Sequence, residues 1–65
     1  MDVTVEVVGE ESYDLSLEQP TYADLLAALD LSPHEVSVMV EGRPVPEDQS
    51  VETDHVRVLR LITGG

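Results

Sequence analysis

The 65-residue sequence contains no cysteine and no lysine. Without cysteine the chain has no disulfide, no thiolate ligand for a metal ion and no thiol nucleophile. Its basic side chains are three arginines, Arg43, Arg57 and Arg60. Such a chain cannot be stapled covalently, so its fold has to rest on a hydrophobic core.

The sequence also has no long hydrophobic run and no basic N-terminal region followed by an apolar stretch. Crossing a bilayer takes roughly 20 consecutive apolar residues. We therefore expect a soluble, cytoplasmic protein with no membrane partner. The length leaves room for one small domain, which we predict over residues 1–62, followed by a flexible tail over 63–65. We expect this domain to be a monomer.

Negative charge dominates the composition. Fourteen Asp and Glu residues against three arginines give a formal net charge of −11 at pH 7. This charge disfavours direct binding to nucleic acid or to anionic membranes. Because 42% of the residues are hydrophobic and recur in alternation, the acidity predicts a folded domain rather than a disordered tail. We interpret it as adaptation to high salt, since about 1 M salt shortens the screening length to about 3 Å.

Alternating apolar and polar residues predict strands over 3–7, 13–17 and 36–40, with a continuous apolar strand over 56–62 and a short edge strand over 43–46. Between the second and third strands, Thr21 and Asp24 match a capping box, so we predict a helix of about nine residues that stops near Pro33. The resulting order is ββαβ(β)β. By analogy it predicts an α+β fold of the ubiquitin-like β-grasp type, a mixed sheet of four to five strands packed on one main helix.

The same alternation predicts which apolar side chains face away from the helix. If the valines at 36, 38 and 40 face inward, the pleat turns Met39 outward, and it does the same for Leu59, Leu61 and Arg57 on the last strand. Val8 extends the patch from the first strand. We predict that these five residues bind a partner. The alternative is that they are ordinary exposed apolar residues, with Leu61 covering the base of the tail.

Catalytic and metal-binding patterns are absent from the sequence. His34 and His55 stand alone, with no second ligand at metal-binding spacing, and the serines lie in no nucleophile motif. We expect no enzyme activity, no metal and no bound cofactor. The chemistry instead lies in Gly64 and Gly65, because two residues without side chains let a terminal carboxylate enter a narrow enzyme channel. The alternative is an accidental ending, since termini tolerate small residues.

Several segments resemble the small archaeal modifier proteins of haloarchaea, which are ubiquitin-like relatives of the MoaD and ThiS sulfur carriers. The segments are MDVTVEVVGE at 1–10, TYADL at 21–25, LSPHEV at 31–36, GRPVPEDQSV at 42–51 and VLRLI at 58–62 before the diglycine. The resemblance implies that an activating enzyme similar to MoeB and ubiquitin-activating proteins adenylates Gly65 with ATP. Transfer to lysines of target proteins then gives an isopeptide bond, and transfer of sulfur gives a thiocarboxylate for tRNA or cofactor thiolation.

Two alternatives to a protein modifier stay open at this point. One is a dedicated sulfur carrier of the MoaD and ThiS kind, and the other is a non-covalent binding module that uses the apolar patch. The absence of lysine leads to one further hypothesis, that the protein does not build lysine-linked chains on itself, because an arginine guanidinium is not a competent nucleophile. Only the amine of Met1 could extend such a chain.

Overall fold

A computed structural model describes residues 1–61. The elements are β1 (Asp2–Val7), β2 (Ser12–Ser16), α1 (Tyr22–Ala28), β3 (Val36–Val40), β4 (Arg43–Pro44) and β5 (His55–Arg60). The strands form one sheet in the order β2-β1-β5-β3-β4. β5 is parallel to β1 and antiparallel to β3, and the two hairpins β1-β2 and β3-β4 are antiparallel. The sheet is therefore mixed, with the last strand at its centre.

Helix α1 begins and ends with specific hydrogen bonds. The Thr21 hydroxyl accepts from the Asp24 amide at 3.2 Å, and the Asp24 carboxylate accepts from the Thr21 amide at 2.8 Å. This reciprocal pair confirms the predicted capping box. At the other end, Asp30 adopts a left-handed conformation with φ of 58°, and the Leu31 amide reaches back to the Leu26 carbonyl at 2.8 Å. These bonds are the Schellman arrangement, which ends the helix at Ala28, two residues earlier than predicted.

The core lies between one face of the sheet and α1. The side chains of Leu25 and Leu26 from the helix are 1% exposed and pack against inward-facing valines of the strands. The buried valines are Val3, Val5, Val7, Val36, Val38, Val51, Val56 and Val58. No buried side-chain nitrogen or oxygen in the described part lacks a hydrogen bond. One sheet and one helix thus form the two-layer unit that the alternation predicted.

Four strand predictions differ in detail from the structure. The first strand covers 2–7 rather than 3–7. The second strand covers 12–16 rather than 13–17. The last strand begins at His55 rather than Val56 and ends at Arg60, before Leu61, and residue 62 of the prediction lies outside the described residues.

The edge strand predicted over 43–46 is limited to Arg43 and Pro44. The Val45 amide still donates to the Val38 carbonyl at 3.0 Å, and Pro46 has no backbone N–H with which to continue the ladder. The last strand, predicted as a continuous apolar run, is central in the sheet but covered on one side only. Only its Val56 and Val58 side is buried, whereas Leu59 is 40% exposed.

Candidate functional site

The candidate site surrounds the end of β5, where the chain runs toward the diglycine. β5 is hydrogen-bonded on both sides, and after the strand ends the Leu61 amide still donates to the Glu35 carbonyl at 2.9 Å. The backbone is therefore attached to the sheet up to the last described residue. Gly64 and Gly65, the predicted reactive residues, lie outside the described residues, as does the predicted tail over 63–65.

The sheet face opposite α1, called here the open face, carries the predicted apolar patch. Leu59 lies at its centre, with Ser37 as its partner on β3. Val8 lies on the other side, since its amide donates to the Val58 carbonyl at 2.9 Å and continues the parallel β1-β5 ladder. Leu61 is 61% exposed, Leu59 40% and Val8 38%. Val8 thus lies beside the end of β5, and Leu61 follows Leu59 by two residues, so these three exposed apolar side chains surround the end of the last strand.

Met39 departs from the predicted exposure. It faces the open side of the sheet, two residues from Ser37, whose hydroxyl lies 3.7 Å from the Met39 sulfur. Its side chain is nevertheless half-buried, because Arg57 on β5 and Pro44 on β4 are its direct neighbours across the sheet. Met39 therefore borders the patch formed by Val8, Leu59 and Leu61 rather than presenting a fully exposed surface.

Arg57 belongs to a charged row that runs across the open face beside this patch. It pairs in register with Glu6 of β1, and its Nη2 lies 3.6 Å from Glu6 Oε1. The Nε2 of His55 lies 3.6 Å from the same carboxylate oxygen. The Arg57 side chain keeps 58% of its surface exposed. It is thus anchored at one carboxylate and still accessible to a partner.

A second ion pair, which the sequence pattern does not predict, joins the last strand to the turn after β1. Arg60 Nε contacts the Glu10 carboxylate. Gly9 makes this contact accessible, because its φ of +81° turns the chain after β1, and Glu10 closes the turn by donating its amide to the Val7 carbonyl at 2.8 Å. This ion pair could have been predicted only from the pairing of β1 with β5. The alternation of apolar and polar residues does not show which strands pair when they lie about 50 residues apart in the sequence.

The described residues hold no other chemical centre. No group of three or more His, Cys, Asp or Glu side chains in residues 1–61 could hold a metal ion. His34 and His55 lie apart, on the loop before β3 and at the start of β5. No helix within this range has the length and apolar character to cross a bilayer. Residues 1–61 thus form a scaffold with one apolar and charged surface around the end of β5.

Comparison with known proteins identifies the family. The profile of the small archaeal modifier protein 2 family matches residues 1–62. The chain belongs to this family. A small archaeal modifier protein 2 from Haloferax volcanii is 68% identical over 66 residues, an alignment that covers 100% of both chains. An uncharacterised protein of Archaeoglobus fulgidus is 31% identical, again across the whole of both chains.

Solved structures agree with this assignment. The crystal structure of the Haloferax volcanii small archaeal modifier protein 2 superposes with a TM-score of 0.73 at 67% identity, covering 97% of each chain. A ubiquitin-like domain from Plasmodium falciparum superposes with a TM-score of 0.67 at 16% identity, covering 92% of this chain and 99% of that one. At 16% identity, the second match supports the fold only. Together they confirm the predicted ubiquitin-like β-grasp fold.

Proposed function

We propose that this small archaeal modifier protein is joined covalently to target proteins through the carboxylate of Gly65. The observation that carries the proposal is the whole-chain similarity to the Haloferax volcanii modifier, because that alignment includes the diglycine of this chain. The activating enzyme that we infer is similar to MoeB and to ubiquitin-activating proteins. The targets are lysine side chains of other proteins.

The chemistry that the tail needs is acyl activation. A free carboxylate is a poor acyl donor, so attack of the Gly65 carboxylate on ATP first forms an acyl adenylate and releases pyrophosphate. A lysine amine then attacks the activated carbonyl, AMP leaves, and an isopeptide bond remains. Because the chain has no cysteine, any thioester on this path uses a thiol of the partner. ATP is therefore used by the activating enzyme, and this chain needs no bound cofactor.

The open face supports recognition by the activating enzyme. The surface formed by Val8, Leu59 and Leu61 lies next to the exit of the tail, with Arg57 and the half-buried Met39 at its border. Burial of exposed apolar side chains stabilises a complex, and Arg57 can pair with a carboxylate at its rim. A partner seated here would have the tail within reach without any change in the sheet.

Mass spectrometry of proteins from the native host tests the proposal. Trypsin cleaves after Arg60, the last arginine, so a conjugated target lysine should carry residues 61–65, LITGG, rather than a diglycine remnant. The wild-type chain and a chain lacking Gly65 should be expressed side by side. We expect the LITGG remnant on lysines of other proteins only with the wild-type chain. Its absence under conditions that activate the carboxylate would contradict a modifier function.

A sulfur carrier function needs the same terminus and can be separated in the same experiment. Attack of a sulfide-level sulfur donor on the adenylate displaces AMP and leaves a thiocarboxylate on Gly65, so that sulfur replaces one oxygen of the free chain. Intact mass of the unconjugated protein detects that exchange. Sulfur at the terminus without LITGG on any lysine would favour a dedicated carrier. A non-covalent module would bind its partner equally well with and without Gly65.

The composition limits what this modifier can be attached to. With no lysine in the sequence, we expect no isopeptide-linked chain of copies on itself. The amine of Met1 donates to the Leu17 carbonyl at 2.7 Å, as the first rung of the β1-β2 ladder. Peptides in which LITGG is joined to a side chain of this same sequence would contradict the expectation, whereas LITGG on the Met1 amine would be the linear extension that the sequence leaves possible.

A further inference from the structure

The two edges of the sheet differ in their capacity to accept another strand. The edge at β4 is two residues long and carries Pro44, followed by Pro46. Prolines of this kind block edge-to-edge pairing. The edge at β2 is five residues long, Ser12–Ser16, and contains neither proline nor lysine. Among the described residues, β2 is therefore the edge at which a further strand could pair.

The hydrogen-bond pattern shows which groups of β2 face outward. The Val7 amide donates to the Glu11 carbonyl at 3.2 Å, and the Leu17 amide donates to the Met1 carbonyl at 3.0 Å. In an antiparallel pair such bonded positions alternate along the strand, so Tyr13 and Leu15 also point their backbone groups toward β1. The N–H and C=O groups of Ser12, Asp14 and Ser16 consequently point to the free side of the sheet.

A shallow, mostly apolar groove lies next to the end of this edge, between the segment that follows β2 and α1. Leu15 and Leu17 are half-buried against the core, and Tyr13 is 37% exposed on the same side. The groove itself is lined by Leu17, Glu18, Pro20, Asp24, Ala27 and Ala28. A strand added beyond β2 would turn every second side chain toward the face that carries Tyr13, Leu15 and Leu17, and one end of it would lie next to this groove, as happens when proteins bind extended peptides at a sheet edge.

The charge around the groove identifies the partner. Residues 1–42 contain no lysine or arginine, and the first basic side chain in the sequence is Arg43 on the opposite edge strand. Glu18 and Asp24 line the groove, Glu11 precedes β2 and Asp14 lies on it. We propose that the β2 edge and this groove bind an extended segment of another protein, in which apolar residues alternate and lysines or arginines flank them.

The same charge argues against a second copy of this chain as the occupant. Pairing two β2 strands would bring two acidic edges together, and each molecule carries a formal net charge of −11. Like charges that face each other across a strand pair are destabilising. The proposal does not depend on conjugation, because it uses neither Gly65 nor the surface at Val8, Leu59 and Leu61.

The test uses the ¹⁵N-labelled full chain and a synthetic peptide with alternating valine and threonine between two pairs of arginines. On binding, amide exchange at Ser12, Asp14 and Ser16 should slow at least tenfold, while Tyr13 and Leu15, already bonded to β1, should change little. Chemical-shift changes centred on Leu59, or no binding at millimolar peptide, would overturn the proposal. So would protection of these amides by raising the protein concentration alone, since a second copy would then be the occupant.

Matched controls separate strand addition from simple charge attraction. Two peptides of the same sequence are N-methylated at alternate residues, one on the odd and one on the even positions. Strand addition requires one of them to bind and the other to fail, whereas charge attraction predicts equal affinity. Glu18→Gln should weaken binding two- to fivefold and Glu41→Gln, on the opposite edge, should not. Ser16→Pro removes one outward N–H and should weaken binding about tenfold. If that variant does not fold, the two N-methylated peptides still distinguish strand addition from charge attraction.

Discussion

Raising the KCl concentration from 0.1 M to 1 M should stabilise the fold by about 3 kcal/mol, because screening relieves the repulsion among its carboxylates. The formal net charge is −11 at pH 7. The Cα radius of gyration is 10.7 Å, which corresponds to a uniform sphere of about 14 Å radius, whereas an unfolded chain of this length has a radius of gyration of about 24 Å. Folding therefore concentrates the charge.

The magnitude follows from spreading this charge over the two spheres in water. At a screening length of about 10 Å, the folded state is penalised relative to the unfolded state by about 6 kcal/mol, and at about 3 Å the penalty falls to about 2.5 kcal/mol. The ion pairs of Arg57 and Arg60 are partly exposed, so their loss on screening offsets only a small part of this gain. For a domain of this size the expected rise in Tm is roughly 12 to 24 °C.

Thermal unfolding followed by circular dichroism at both salt concentrations measures the effect, and a charge-reduced variant is the control. Glu41, Glu47 and Asp48 make no ion pair within residues 1–61. Their replacement by Gln, Gln and Asn reduces the net charge to about −8 and, since repulsion scales with the square of the charge, should halve the rise in Tm. An equal rise in both proteins would show that salt acts on hydrophobic burial instead, and would refute the reasoning.

Three further predictions concern the helix, the core and the open face. Thr21→Ala and Asp24→Ala should each lower the free energy of unfolding by about 1 kcal/mol, and the double variant should lose less than their sum, as measured by denaturant titration. Burial raises the pKa of the Tyr22 phenol above 10.0, with the Glu52 carboxylate adding to the effect and the Glu52 backbone opposing it. The stabilisation that comes from the neutral phenol is complete below pH 10 and is lost as the pH rises through the folded-state pKa. Between pH 9 and pH 11 the free energy of unfolding of Tyr22→Phe should therefore rise relative to that of the wild type, as measured by the same titration. Leu59→Ser should slow adenylation by a purified activating enzyme about tenfold or more. Its Tm should change by only a few degrees, because the side chain is 40% exposed. Unaltered adenylation would exclude this residue from the docking surface.

Most of the architecture was predictable because local and global preferences agree. The alternation of Val3, Val5 and Val7 specifies one buried face, and the capping box at Thr21 fixes where α1 begins. The end of α1 was predicted too late, because Asp30 takes the left-handed conformation usually reserved for glycine. The sequence LDLS at 29–32 contains no glycine or asparagine that would predict this turn.

The site was only partly predictable, because it depends on which strands are neighbours. The alternation of apolar and polar residues predicted that Met39, Leu59 and Arg57 lie on one face of the sheet. How exposed each side chain is depends on the residues beside it on the neighbouring strands. Met39 is half-buried because Pro44 and Arg57 flank it. The contacts of Glu6 with Arg57 and of Glu10 with Arg60 join β1 to β5 across the length of the chain. Such long-range pairing is set by the packing of the whole domain.

The order of the strands makes the two proposed interactions compatible. β1 separates β2 from β5, and a segment added beyond β2 would lie about 14 Å from β5, three strand spacings away. It would therefore leave the tail and the surface around Leu59 accessible. A protein bound at β2 could recognise the modifier after Gly65 has been joined to a target. The arginine-flanked peptide should consequently bind a purified conjugate and the free chain with equal affinity, measured by fluorescence anisotropy. A conjugate that binds it at least tenfold more weakly would show that target and peptide compete for one surface.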